Sequence, residues 1–211
     1  MTNNIQAFNQ IEEGSSDQVV LGLIQYIEDA LPEFHGSPEF VDILAKKKNE
    51  NQHSQSFCIY MTNECRSSYY FCRENSQVGS YTIDIGVYRG SNLIFTIEAK
   101  LLPTPTQKSG SRTEHEYVYG KGAGIERFRN GFHGVDNQDK PLPENGLIAY
   151  IKEQNFEYWL LKVNQWISNA QWGESEQLEK IYFRQIAKLL SKHPREKTSE
   201  VTLYHFWIYV S

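Results

Sequence analysis

Residues 81–102 constrain the fold more than any other part of the chain. In YTIDIGVYR, Tyr81, Ile83, Ile85 and Val87 alternate with Thr82, Asp84 and Gly86, which is the period of a β-strand. Arg89-Gly90-Ser91-Asn92 reads as a hairpin turn, and a second strand, LIFTIEAKLL, follows and is closed by Pro103 and Pro105. The segments SFCIYMTNE and SSYYFCRE upstream are rich in aromatic and β-branched residues and are split by a turn-forming NEC. The expectation is a β-meander in the middle of the chain. It carries three charged side chains, Asp84, Glu98 and Lys100, inside otherwise apolar strands.

Helical periods surround this meander. An amphipathic helix is predicted over about 16–31, with Ser15 and Gln18 in capping-box relation and Pro32 at its end; Val19, Val20, Leu23, Ile24, Ile27 and Leu31 form its apolar face. AKKKNENQHSQS then reads as a helix end and a loop. After the loop PTPTQKSGSRTEHE, the run YVYGKGAGIERFRNGFHG suggests a glycine-rich approach to a short helix, and NGLIAYI a strand. FEYWLLKVNQWISNA has the clearest helical spacing, with Trp159 and Trp166 on its core face. A second helix is predicted over SEQLEKIYFRQIAKLL, and VTLYHFWIYVS closes the chain as a strand. The fold class expected is α/β (α+β): a central mixed β-sheet flanked by helices, in a single domain of 211 residues.

Composition excludes several classes. With 39% hydrophobic and 13% aromatic residues, the chain can offset the entropy of ordering, so general disorder is excluded. No apolar run approaches the roughly 20 residues of a membrane span. The start MTNNIQAFNQIEEG lacks the basic and apolar regions of a signal peptide, so a soluble cytoplasmic protein is expected. Cys58, Cys65 and Cys72 are an odd set without CxxC spacing and read as plain thiols. A net charge of −5 argues against a protein that coats nucleic acid, but leaves open phosphate chemistry assisted by a metal.

The charged residues of the meander suggest that chemistry. Glu98 and Lys100 are two residues apart on one strand and so share a face. If the strands pair about the Arg89–Asn92 turn, Asp84 lies beside Glu98. Two carboxylates buried side by side repel and lose hydration, a cost that a divalent cation offsets. Mg²⁺ is commonly held by one or two carboxylates and several waters, and it can activate one of those waters for attack on a phosphodiester. An E-x-K tripeptide alone recurs by chance about once per 200 residues. The structural alternative is a sheet edge whose charges discourage aggregation.

Asp84 followed by Glu98-Ala99-Lys100 on an adjacent strand resembles the PD-(D/E)XK nuclease superfamily, the restriction-endonuclease-like fold. The resemblance covers about residues 16–152, with 153–211 as a C-terminal extension of helices and a strand. It implies an α-β-β-β-α-β core and a Mg²⁺- or Mn²⁺-dependent endonuclease acting on DNA, with RNA as the second substrate, in restriction, phage defence or repair. By the same resemblance Asp84 and Glu98 bind the metal and Lys100 assists the attacking water. An acid on the first helix, Glu28 or less well Glu13, completes the metal shell. Two departures stand out: Ile83 replaces the usual Pro before Asp84, and the count of strands before YTIDIG is one too many.

Gly120-Lys121-Gly122-Ala123-Gly124 fits neither a P-loop nor GxGxxG; it offers a helix N-terminus where Lys121, Arg127 and Arg129 could hold substrate phosphates. The structural alternative is a solvated basic helix face. His115 and His133 flank this segment and read as surface residues, and His35, His53, His193 and His205 show no metal-ligand spacing. The rival function is a non-catalytic protein-binding module that keeps the same fold, with a protein partner or a homodimer as its setting.

Overall fold

The computed structural model describes residues 16–45, 49–65, 68–105, 112–195 and 200–210. Glu13 and Ser15 lie outside them. Among the described residues five helices and seven strands follow one another as α1 (Ser16–Phe34), α2 (Pro38–Ala45), α3 (Glu50–Glu64), β1 (Tyr70–Ser76), β2 (Thr82–Arg89), β3 (Asn92–Leu102), α4 (Ile125–Arg129), β4 (Glu144–Ile151), α5 (Phe156–Asn169), β5 (Glu179–Phe183), β6 (Ile186–His193) and β7 (Val201–Tyr209). The strands form one mixed sheet in the order β1-β2-β3-β4-β7-β6-β5. β1, β2 and β3 are antiparallel neighbours, β4 runs parallel to both β3 and β7, and β6 and β5 continue antiparallel from β7. The parallel step from β3 to β4 requires a crossover, and the chain makes it through a 3₁₀ turn at Glu114–Tyr117 and α4.

Each face of the sheet has its own core. On one, Leu23, Ile27 and Leu31 of α1, Phe40 of α2 and Phe57 and Met61 of α3 pack on Phe95, Ile97, Leu101, Tyr150 and Phe206. On the other, Ile125 and Phe128 of α4 and Trp159, Val163 and Trp166 of α5 pack on Leu147, Ala149, Leu203 and Trp207. The alternation of side chains along β3 and β4 serves both layers at once. Among the described residues no helix is long and apolar enough to cross a membrane.

Two predicted elements are overturned. SFCIYMTNE is not a strand but the body of α3, and the preceding polar stretch contains its start: the Asn49 side chain accepts from the Gln52 amide while Gln52 reaches back to the Asn49 amide. The helix buries His53, Ser54 and Ser56 beside Phe57, Cys58 and Met61, so its inward face has no apolar period to detect. The predicted helix over SEQLEKIYFRQIAKLL is the β5–β6 hairpin. The inward positions of β6 are Ala187, Leu189, Ser191 and His193, and the two polar members mask the alternation. With α3 reassigned, three strands precede α4 and the surplus strand disappears. Pro32 lies within the last turn of α1 rather than ending it.

The glycine-rich run has a steric purpose. The Gly124 amide donates to Glu116 O at 2.9 Å and the Glu126 amide to Val118 O at 2.9 Å, which ties the entry of α4 to the 3₁₀ turn beneath. A Cβ on Gly124 would meet the Tyr117 carbonyl oxygen at 2.6 Å. Backbone oxygen cannot give way cheaply, so Gly124→Ala is expected to cost about 1–3 kcal/mol in urea unfolding. Gly36→Ala, whose Cβ meets nothing nearer than 3.8 Å, is the control and should stay close to wild type.

Candidate functional site

β2 and β3 are paired from the hairpin turn as far as Ile85 opposite Ile97, where the recorded register ends. β2 continues along β1 to Thr82, and β3 continues along β4 to Leu102, so the two strands part. Ile83 packs in the α5-side core whereas Ile85 and Val87 pack in the α1-side core, in keeping with a strand that turns about its axis at Asp84. Past the parting, carboxylates take the β3 amides: Ala99 N donates to Asp84 Oδ2 at 2.8 Å and Leu101 N to Glu50 Oε2 at 2.8 Å. Glu50 is the first residue of α3 and was missed in the sequence because α3 was.

Glu98 and Lys100 are 2% and 4% exposed, and their side chains meet at 2.6 Å between Oε1 and Nζ. Arg127 Nη1 approaches the same Glu98 oxygen at 3.4 Å from the end of α4. The other oxygen, Oε2, lies 3.4 Å from His133 Nδ1. That approach lacks hydrogen-bond geometry: Glu98 Oε2 and both His133 ring nitrogens are buried without a hydrogen-bond partner. His133 is fully buried, contrary to its reading as a surface residue, and is a site residue that the sequence did not reveal. Its loop is fixed from two sides. Gln77 Oε1 accepts from the Gly134 and Val135 amides, and buried Arg195 donates to the Phe128, Gly134 and Leu142 carbonyls.

The two central carboxylates differ in protonation. Burial, with Glu98 adding to it, pushes Asp84 up to about 7. Burial acts the same way on Glu98, but the Lys100 ammonium beside it outweighs that and holds the group below the ordinary carboxylate range. Burial pulls Lys100 down, but Glu98, Asp84 and Glu50 outweigh it and push the group above the ordinary range. Lys100 is therefore a fixed cation and not a proton acceptor.

The structure brings together Asp84, Glu98, Lys100 and Arg127 of the predicted site and does not bring the others. Glu28 pairs with Lys188 on β6, three strands from β3 and so about 14 Å across the sheet. Arg129 grips Glu176 at 2.6 Å and lies over the Trp172 ring, which removes it from the carboxylates. Lys121 is exposed on the loop before α4. The Gly124 and Glu126 amides at this entrance are taken by the Glu116 and Val118 carbonyls and so are not offered to an anion.

A second polar cluster lies on the α5 side. Trp207 Nε1–H can only donate, so Tyr117 OH accepts it at 2.9 Å and gives its own proton to His205 Nδ1 at 2.7 Å. Burial holds His205 neutral, so its Nε2–H donates to Ser191 Oγ at 2.8 Å. Ser191 donates in turn to His193 Nε2 at 2.7 Å, and His193 Nδ1–H to Glu176 at 3.0 Å. Every donor points one way and every group is satisfied. Ser191-His193-Glu176 has the order of a nucleophile, base and acid, but Ser191 is 2% exposed and its hydroxyl is shared between two imidazoles. The chain of bonds ties β6 and β7 to the 3₁₀ turn and α4.

No protein-family model, curated protein or solved structure matches the chain.

Two outcomes follow from these geometries. Removing Lys100 leaves Glu98 buried with a weaker partner, so Lys100→Met is expected to lose about 3–5 kcal/mol, and adding Glu98→Gln should restore most of it. Additive losses in urea unfolding would show that the two charges are not held as a pair. The histidines give a pH signature. Burial lowers His193, more than Glu176 raises it, and lowers His205 further. The unfolded chain therefore takes up protons first, and stability present above about pH 6.5 is lost as the pH falls below it. Asp84 works in the opposite sense, because the folded state keeps a proton that the unfolded chain releases above 3.8. The histidine part is read by difference: between about pH 7.5 and 5.5, wild type should lose more stability than His205→Gln.

Proposed function

We propose that the chain is a metal-dependent nuclease of the restriction-endonuclease-like fold that hydrolyses phosphodiester bonds in DNA. The observation that carries this reading is the parting of β2 and β3, where Asp84, Glu98 and Lys100 meet. The order α3-β1-β2-β3-α4-β4 supports it, since it is the α-β-β-β-α-β order of that superfamily, with the Asp on the second strand and E-x-K on the third. Glu50, on the helix before β1, takes the place first given to Glu28.

The donor set suits a hard cation. Among the described residues no three His, Cys, Asp or Glu side chains form a ready cage for an ion. Mg²⁺ or Mn²⁺ needs only one or two protein carboxylates and completes its shell with water. Asp84 supplies a carboxylate anchored to the Ala99 amide, and Glu98 supplies a buried oxygen, Oε2, that no hydrogen bond uses. A bound ion there would polarise a phosphate oxygen and acidify a water. Lys100, permanently charged, orients the attacking water and stabilises the negative charge that develops on phosphorus. Arg127 is only partly buried and can turn from Glu98 to a substrate phosphate.

The test is cleavage of supercoiled, linear and single-stranded DNA, and of RNA, in Mg²⁺, Mn²⁺ or EDTA. Cutting is expected with either ion and none in EDTA. Asp84→Asn and the Glu98→Gln/Lys100→Met pair, each confirmed folded by circular dichroism, should fall about a hundredfold or more. Absence of cutting together with no calorimetric heat for Mg²⁺ or Mn²⁺ would overturn the proposal in favour of a protein-binding module.

A further inference from the structure

Beside the carboxylates lie two aromatic rings that neither core uses. Tyr81 leads into β2 three residues before Asp84, and Phe132 immediately precedes His133. Their rings stack at 4.5 Å between centroids and 6° between planes. Both are only partly buried, and neither belongs to the cluster on either face of the sheet. Tyr81 meets the His133 ring edge-on at 6.0 Å, and the Arg127 guanidinium lies 5.6 Å from the Tyr81 centroid. The Arg127 carbonyl accepts from both the Phe132 amide at 2.9 Å and the His133 amide at 3.2 Å, which ties the backbone of Phe132 and His133 to that of Arg127. Its two charged or polar tips, Arg127 Nη1 and His133 Nδ1, each approach Glu98 at 3.4 Å.

We infer that the Tyr81–Phe132 stack is a platform for a nucleobase, and that the site therefore takes an unpaired nucleotide next to the scissile phosphate. This rests on the nuclease reading of the same site and adds the class of substrate. Tyr81 has Phe132 against its ring and Arg127 nearby, whereas among the described residues Phe132 has no second ring against it. A base arriving with its phosphate near Glu98 and Lys100 extends the stack from Phe132. A base in a duplex already has stacked neighbours on both faces and cannot make this contact unless it leaves the helix. Every base has a π-face, so the platform selects unpaired strands without selecting sequence. The net charge of −5 points the same way: a chain without a basic surplus holds a strand better by stacking at one place than by tracking a long run of phosphates.

The experiment uses the full chain and a short single-stranded DNA carrying 2-aminopurine, whose fluorescence is quenched on stacking. Binding is measured in EDTA and again in Ca²⁺, alongside the same sequence as a duplex. Quenching on the single strand and weaker binding of the duplex are expected. Phe132→Leu should weaken single-strand binding by about 5- to 150-fold and abolish the quenching, the range set by loss of one base–aromatic stack. Phe132→Trp, which keeps a π-face, should retain both and guards against a mere folding defect. Equal binding of duplex and single strand, or unchanged quenching in folded Phe132→Leu, overturns the inference. Metal-dependent cutting lost in Asp84→Asn but indifferent to Phe132→Leu would overturn the platform alone and leave the nuclease reading standing. Quenching and single-strand binding with neither cutting nor calorimetric heat for Mg²⁺ or Mn²⁺ would do the reverse.

Discussion

The arrangement depends on how β3 satisfies its backbone where β2 leaves it. A buried amide without an acceptor costs about 1–3 kcal/mol, so two strands do not separate inside a sheet unless something replaces the lost ladder. Here two carboxylates replace it, Asp84 on the Ala99 amide and Glu50 on the Leu101 amide. The substitution opens the sheet without breaking it, because β1 still holds β2 and β4 still holds β3. It also fixes acids that would otherwise avoid one another. With one carboxylate oxygen tied to the strand, each acid is held by geometry at a place where electrostatics alone would expel it.

Charge balance around Glu98 then decides what the opening can hold. Lys100 and Arg127 approach one oxygen of Glu98, and His133 approaches the other without a hydrogen bond. Among the described residues Asp84 makes no ion pair, and its burial and Glu98 push it up to about 7 against the pull of Lys100. The pair is thus divided into one permanently ionised acid and one that ionises near neutrality, the usual result when two carboxylates share a low-dielectric site. The backbone around His133 is clamped by Gln77 and Arg195, so the imidazole is presented from a rigid loop. Burial brings Arg195 down to about 10, which still leaves it charged at neutral pH and able to hold three carbonyls.

Much of this was legible in the sequence. The β2–β3 hairpin, α1, α4, β4, α5 and β7 all follow their apolar periods, and Glu98 and Lys100 share a face as strand alternation requires, whereas Asp84 reaches the β3 backbone where β2 turns and leaves that alternation. The failures share a cause. α3 turns His53, Ser54 and Ser56 inward, and β6 turns Ser191 and His193 inward, so the buried face of each is partly polar and its period is invisible to a hydrophobic pattern. Losing α3 meant losing Glu50, and the acid on the first visible helix, Glu28, was taken in its place. The basic residues near the glycine run divided for a related reason. Arg127 and Arg129 are two apart on a short helix and so point to different sides, one to Glu98 and the other to Glu176.

The inward polar residues are informative once their partners are considered. Burying an unpaired imidazole or hydroxyl is costly, so each such residue implies a partner, and in this fold the partners are distant along the chain. Tyr117 reaches His205 across 88 residues, Tyr150 reaches Ser54 across 96, and Leu101 reaches Glu50 across 51. Spacing rules act over a helical turn or a strand pair and cannot register such separations. A polar residue at the buried phase of an otherwise apolar element is therefore a mark of long-range structure. In this chain one set of those marks closes into a saturated chain of hydrogen bonds from Trp207 to Glu176. The other, at Glu98 and His133, leaves polar atoms without hydrogen bonds, and it is there that the proposed ion would find an unused oxygen.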